Sequence, residues 1–137
     1  MAAAPGPLGY SGTPLPRKLG IEAGMRVAAL GPAPAELPGR LDGAKLHARL
    51  AGSFDVILLF ADSVAALERR LAAAVAALEP RGGLWIAWPK RGSGVVSDVD
   101  ERAVRRLGLA TGLVDNKVCA IDATWSGLRF AHRRERG

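Results

Sequence analysis

The run Trp88-Pro-Lys-Arg-Gly-Ser-Gly94 gathers the residue types that hold an oxyanion: two cations, a hydroxyl, and glycines that let backbone N–H groups approach a ligand. A helix expected to start at Asp98 would add the pull of its dipole. Lys90, Arg91, Ser93 and Gly94 are therefore the candidate anion-binding residues. Tyr10, Ser11 and Thr13 would bring hydroxyls to the same place if the N-terminal arm folds back, and Asp62, Ser63 and Trp88 would complete a rim. Each has a plainer use. Charged loops are mostly solvated surface, Asp62-Ser63 precedes an Ala- and Leu-rich stretch that needs an N-cap, and a tryptophan in an apolar run is core by default. On sequence grounds these plainer uses outweigh the anion site.

Other chemistry finds little support, and no catalytic residue is identifiable. Cys119 is the one cysteine, which excludes an intramolecular disulfide and a cysteine-based zinc site. It lies between Val118 and Ile121 with no activating sequence neighbour, so it reads as a buried, inert thiol. His47 and His132 stand alone, and no metal is expected. The Gly92-Ser93-Gly94 triplet lacks the Gly-x-Ser-x-Gly spacing of a nucleophile elbow.

The chain of 137 residues carries 19 Lys and Arg against 13 Asp and Glu, a net charge of +6. Ala, Gly, Pro and Arg fill 66 positions, a bias that resembles that of a G+C-rich genome, so a basic balance alone says little about a partner. The excess lies wholly in the second half: residues 1–68 hold six basic and six acidic side chains, and residues 69–137 hold 13 and seven. Nucleic-acid binding through that half is a third-ranked reading, because aromatics are few and no recognition motif is present. Apolar runs such as Val56–Ala61 are far short of a membrane span. Met1–Pro7 has neither a basic region nor a hydrophobic segment, so a soluble cytoplasmic protein is expected, without membrane contact.

The elements that must position these residues follow from breakers and periodicity. The density of Gly and Pro in residues 1–20 forbids a regular element longer than a turn, which fits near Arg17–Leu19. Residues 1–7 are expected to be disordered, 8–132 to form one α/β domain with an extended arm over 8–24, and 133–137 to be a frayed basic tail. Met25–Leu30 reads as a buried strand, Lys45–Leu50 as a short edge strand, and Phe54–Phe60, with Val56-Ile-Leu-Leu59, as a strand buried on both faces of a parallel sheet. Val64–Glu79 is an amphipathic helix stopped by Pro80, Gly82 and Gly83, and Leu84–Trp88 is the next strand. A helix from the Asp98 cap to Leu107, stopped by Gly108, leads to strands centred on Val118–Ile121 and Leu128–Ala131, with Trp125–Gly127 as their turn.

Leu19-Gly-Ile-Glu-Ala-Gly-Met-Arg-Val27, Phe54-Asp-Val-Ile-Leu-Leu-Phe60 and Leu78-Glu-Pro-Arg-Gly-Gly-Leu-Trp-Ile86 resemble the first, fourth and fifth strand regions of S-adenosylmethionine-dependent methyltransferases. The resemblance implies an α/β, trimmed Rossmann-like (methyltransferase-like) three-layer sandwich with a mostly parallel sheet and a C-terminal antiparallel hairpin. The cofactor motifs depart from it. The loop after the first strand is Gly31-Pro-Ala-Pro-Ala35, with one glycine and two prolines that lack N–H donors, and Leu46-His-Ala-Arg-Leu50 supplies no ribose-binding carboxylate. Only 22 residues, Gly31–Gly52, separate the first strand from the Phe54 strand. The expectation is therefore no cofactor, S-adenosylmethionine included.

A closer resemblance covers nearly the whole chain. Gly9-Tyr-Ser-Gly-Thr-Pro-Leu15, Lys18-Leu-Gly-Ile21, Leu84-Trp-Ile-Ala-Trp-Pro-Lys90, Gly108-Leu-Ala-Thr-Gly-Leu-Val114 and Thr124-Trp-Ser-Gly-Leu128 are similar to the mainly actinobacterial family known as domain of unknown function 3052. That family carries no activity to transfer. The leading expectation is a non-catalytic binding or regulatory module, taking a protein partner or a small anionic ligand, possible also as a homodimer. The alternatives are an enzyme acting on a phosphate-bearing substrate through Pro89–Gly94, and nucleic-acid binding.

Overall fold

The structure is a computed structural model that describes residues 12–134, so Tyr10 and Ser11 of the expected rim lie outside the described residues. Its elements are helix α1 (Leu15–Leu19), strand β1 (Val27–Leu30), helix α2 (Leu37–Arg40), strand β2 (Leu46–His47), strand β3 (Phe54–Phe60), helix α3 (Val64–Ala76), strand β4 (Leu78–Pro89), helix α4 (Glu101–Ala110) and strands β5 (Val114–Ala120) and β6 (Trp125–Ala131). The six strands form one sheet in the order β2-β1-β3-β4-β6-β5. β2, β1, β3 and β4 are mutually parallel, and β6 joins antiparallel to both β4 and β5. The α/β, Rossmann-like expectation with its antiparallel C-terminal pair holds.

The sheet is buried on both faces, which is why β3 and β4 are nearly continuous apolar runs. Side chains alternate between two packed clusters. Leu30, Ile57, Leu59, Leu84, Ile86 and Trp88 meet Leu67 and Leu71 of α3 and Val104 of α4 on one face. Val27, Val56, Leu58, Phe60, Trp85 and Ala87 meet Leu15 and Leu19 of α1 and Leu37 and Leu41 around α2 on the other. The Trp85 indole N–H donates to the carbonyl of Leu19 at 2.9 Å, which satisfies a fully buried donor and pins α1 to the sheet.

Several boundaries differ from expectation for identifiable reasons. α3 ends at Ala76 because Phe54 N–H bonds to the Ala77 carbonyl at 2.8 Å, drawing the chain into the sheet at Leu78. Pro80 is tolerated inside β4 because the ladder with β3 shifts register there, from the pair Phe54 and Leu78 to Val56 and Gly83. Gly108 does not stop α4. It is buried within the helix, and a Cβ on it would collide with the Phe130 ring, so the position needs a small residue for packing. Left-handed backbone, at φ 96°, comes instead at Gly112. The turn between the last two strands lies before Trp125, where the Asp122 carboxylate accepts N–H bonds from Thr124 and Trp125 at 2.8 and 2.7 Å. Trp125–Gly127 belongs to β6.

Candidate functional site

Strand order reverses between β1 and β3, with β2 lying to one side and β4 to the other. In an open α/β sheet a ligand sits beyond the carboxyl ends of the strands at such a reversal. Here the reversal lies between the loop after Leu30 and Ala61-Asp62-Ser63 after β3, the place where that rule puts a ligand crevice. Gly31 takes φ 83°, and a Cβ there would overlap the Phe60 carbonyl, so glycine is required for β1 to turn away while touching the end of β3. Ala33 N–H closes the turn onto the Gly31 carbonyl at 2.8 Å. Asp62 is exposed beside this turn, two residues beyond the strand, and Glu36 is the exposed carboxylate of the other loop.

Beyond β4 lies an open cavity of about 530 Å³ lined by Trp88, Lys90, Arg91, Val95, Val96 and Asp98 among others. The cavity adjoins the crevice. Ala61 N–H bonds to the Ala87 carbonyl at 2.9 Å, and the Asp98 carboxylate accepts the Val64 N–H of α3 at 2.8 Å. Asp98 therefore does not cap α4, as the sequence led us to expect. It satisfies an orphan donor at the start of α3, while the Ser63 hydroxyl accepts the Ala66 N–H of the same helix at 3.0 Å. Asp100 caps α4 through the Ala103 N–H at 2.9 Å.

Of the expected anion residues, Lys90 and Arg91 line the cavity, whereas Ser93 and Gly94 lie outside its lining. The Ser93 hydroxyl accepts from Val95 N–H at 3.3 Å, and Gly94 supplies a left-handed turn at φ 93°. Trp88 forms the inner wall, Ser63 is a cap, Asp62 faces solvent at the crevice, and Thr13 is exposed. Sequence reading missed Val95 and Val96, two apolar side chains at the cavity that are 42% and 96% exposed. The signal was present: adjacent β-branched residues in a loop of glycine, serine and charge.

Cys119 is half-buried on β5, and burial pushes its thiol pKa up against the pull of Lys18, Lys117 and Lys90. Its strand is less apolar in context than expected, since Val118 beside it is 49% exposed. His47 packs edge-on against Phe54, with ring centroids 5.4 Å apart. Among the described residues no group of three His, Cys, Asp or Glu side chains is placed to hold a metal. No helix among them is long and apolar enough to cross a membrane.

No protein-family model matches the chain, and no curated protein matches it. Solved structures do. A ribosomal protein L11 methylase from Lactobacillus delbrueckii subsp. bulgaricus aligns over 80% of this chain and 71% of its own, with TM-score 0.53 and 12% identity. Magnesium protoporphyrin IX methyltransferase from Synechocystis, with SAH bound, aligns over 80% and 75%, with TM-score 0.55 and 10% identity. LepI in complex with SAM aligns over 87% of this chain and 39% of its own, with TM-score 0.53 and 12% identity. The chain has the methyltransferase-like Rossmann fold.

These neighbours correct two expectations. A non-catalytic module and the absence of a cofactor were expected from the Gly31–Ala35 loop, the Leu46–Leu50 segment and the short Gly31–Gly52 connection, yet neighbours of this architecture include magnesium protoporphyrin IX methyltransferase solved with SAM or SAH and DhpI solved with SAH. The physical fault lies in the donor argument. A glycine-rich loop full of N–H groups is what a phosphate requires, and S-adenosylmethionine has no phosphate. Its sulfonium and ammonium are cationic and its ribose hydroxyls donate, so carboxylates and carbonyls suit those parts of it, while its carboxylate takes donors. Pro32 and Pro34 remove donors, the Pro34 carbonyl accepts the Leu37 N–H at 3.0 Å, and Asp62 and Glu36 are exposed carboxylates on the two loops. The residues present fit the cationic and hydroxyl parts of that group, and neither loop carries a cationic side chain for its carboxylate.

Proposed function

We propose that the protein is an S-adenosylmethionine-dependent methyltransferase whose cofactor binds at the crevice between β1 and β3. The observation that carries this reading is the strand-order reversal at Gly31, in an architecture shared with neighbours solved with SAM or SAH. The cofactor would supply a methyl group made electrophilic by its sulfonium. Asp62 and Glu36 would hold its donor groups, and the turn at Gly31 would keep the two strand ends together beneath it. The adjoining cavity is offered for the methyl acceptor: Trp88, Val95 and Val96 form an apolar wall, and Lys90 and Arg91 a polar one, which suits a molecule with both characters.

Membership of the domain of unknown function 3052 family, an actinobacterial source and a cytoplasmic location form part of the same reading. They rest on the motifs from Gly9 to Leu128 and on composition.

Titration calorimetry with S-adenosylmethionine and S-adenosylhomocysteine tests the proposal. Saturable one-site binding is expected, with a matching rise in melting temperature. Asp62→Ala is expected to weaken it about tenfold, the effect of losing a charge-assisted hydrogen bond. Absence of heat and of a melting shift at millimolar ligand, with folded protein, overturns it.

A further inference from the structure

At the opposite end of the sheet, the amino end of β4, a cavity of about 590 Å³ is lined by Pro80, Arg81, Asn116, Arg129, Ala131, His132, Arg133 and Arg134. Four guanidinium groups border it and, among the described residues, no carboxylate does. The carboxylates nearest in the fold are engaged elsewhere: Glu79 with the Ser53 hydroxyl, Asp55 with the Arg26 N–H at 2.8 Å, and Asp115 with Arg105 at 2.9 Å.

Arg129 is the informative member. It is half-buried, and its guanidinium lies over the backbone of β4, where a Cβ on Gly83 would come within 2.5 to 2.7 Å of Nε, Cζ and Nη2. Among the described residues it has neither an ion pair nor a side-chain hydrogen bond, and burial pushes its pKa down. Arg26 shows how this fold treats an arginine of purely structural use. Its Nε donates to Ser53 and its Nη2 to Ala51, at 2.9 and 2.6 Å, and its guanidinium sits 4.5 Å from the Phe54 ring centroid. A partly desolvated guanidinium with five donors and no acceptor is costly unless something brings the acceptors. A second depression, lined by Arg17, Lys18, Lys117 and the same Arg129, continues the positive surface around α1.

We infer that this cavity is a binding site for a small ligand bearing two or more phosphate groups, with Arg129 as its half-buried anchor and Arg81, Arg133 and Arg134 as its outer clamps. Guanidinium forks match tetrahedral oxyanions with paired N–H bonds. Four guanidinium groups with no carboxylate among the described lining residues call for more than one negative charge, and the volume exceeds what a single phosphate fills. Gly83 is glycine so that the anchor can lie flat. The inference is independent of the cofactor reading, since the two sites lie at opposite ends of the strands.

Calorimetry with sodium tripolyphosphate at fixed ionic strength tests it. One-site binding is expected, and Arg129→Met should weaken it at least tenfold, Arg129→Lys by less, while Arg70→Ala, which removes the same charge from the exposed face of α3, should leave it unchanged. Should Arg129→Met fail to fold, the wild-type protein still decides: tripolyphosphate must shift the Gly83 amide and the Arg129 Nε–H resonances in a heteronuclear NMR titration. Absence of binding, equal weakening by Arg70→Ala, or affinity that rises steadily with the length of a single-stranded oligonucleotide would each overturn the proposal. The last outcome would assign the surface to a nucleic-acid backbone.

Discussion

The two ends of the parallel strands are built on opposite plans. At the carboxyl end, the polar groups of the segment after β4 are tied into the chain: Asp98 holds Val64, Asp100 holds Ala103, and Ser97 holds Val99. What stays open there is mixed in character, with Asp62 at the crevice and Val95, Lys90 and Arg91 at the cavity. At the amino end the acids are tied, and the guanidinium of Arg129 has no side-chain partner among the described residues. The net charge of +6 is therefore a poor guide to either end. A site is defined by which groups the fold leaves without partners, and a count of residue types does not contain that information.

The contrast can be broken most strongly through its glycines. Gly31→Ala places a Cβ against the backbone carbonyl of Phe60 and holds alanine in left-handed geometry, so a loss of about 3 kcal/mol is expected from urea unfolding. Gly83→Ala meets only the end of a side chain. Its stability should stay within about 1 kcal/mol of wild type, because alanine also favours a strand over glycine, while tripolyphosphate affinity falls. Equal destabilisation by the two variants would erase the distinction between a glycine that holds the fold and one that admits a functional side chain.

Asp98→Ala comes next. It removes an acceptor from the α3 terminus and unties the cavity wall, and a loss of about 1 kcal/mol is expected. Amide exchange at Val64 should speed up, with the tripolyphosphate site unaffected. The smallest effect belongs to Asp115. The Arg105 guanidinium donating to it holds its carboxyl pKa below the ordinary range, outweighing partial burial. Its contribution is present above the unfolded value of about 3.9 and lost as pH falls through the lower folded value. Asp115→Asn should therefore show a shallower decline of urea midpoint below pH 4 than wild type, and a slightly tighter tripolyphosphate site.

Much of this architecture is legible in the residues. The β-branched and apolar run Val56–Leu59 reads as a strand buried on both faces, Ser63 before Val64 is a helix start, and the odd and even spacing of Trp85 and Trp88 places them on opposite faces. What escaped depends on partners distant in sequence. Gly108 reads as a stop until Phe130, on another element, occupies the space where its side chain would be. Asp98 reads as a cap for the helix that follows, yet caps one that precedes it by 34 positions. The candidate sites divide in the same way. Lys90 and Arg91 were visible because their neighbours in sequence form the loop. Arg129 was hidden because its isolation is a property of the sheet, visible only when Gly83, Asp115 and Glu79 are placed around it.

The two margins of the sheet bear on how the chain meets its own copies. β2 offers two residues of ladder, and β5 has a register shift between Asp115 and Lys117 with a lysine on the exposed stretch. Short, interrupted and charged margins are poor templates for adding a strand from another molecule. Despite a half-exposed Val118 on β5, concentrated protein should resist growth into edge-to-edge ribbons, and a pair of copies would have to meet through side chains instead of a shared sheet.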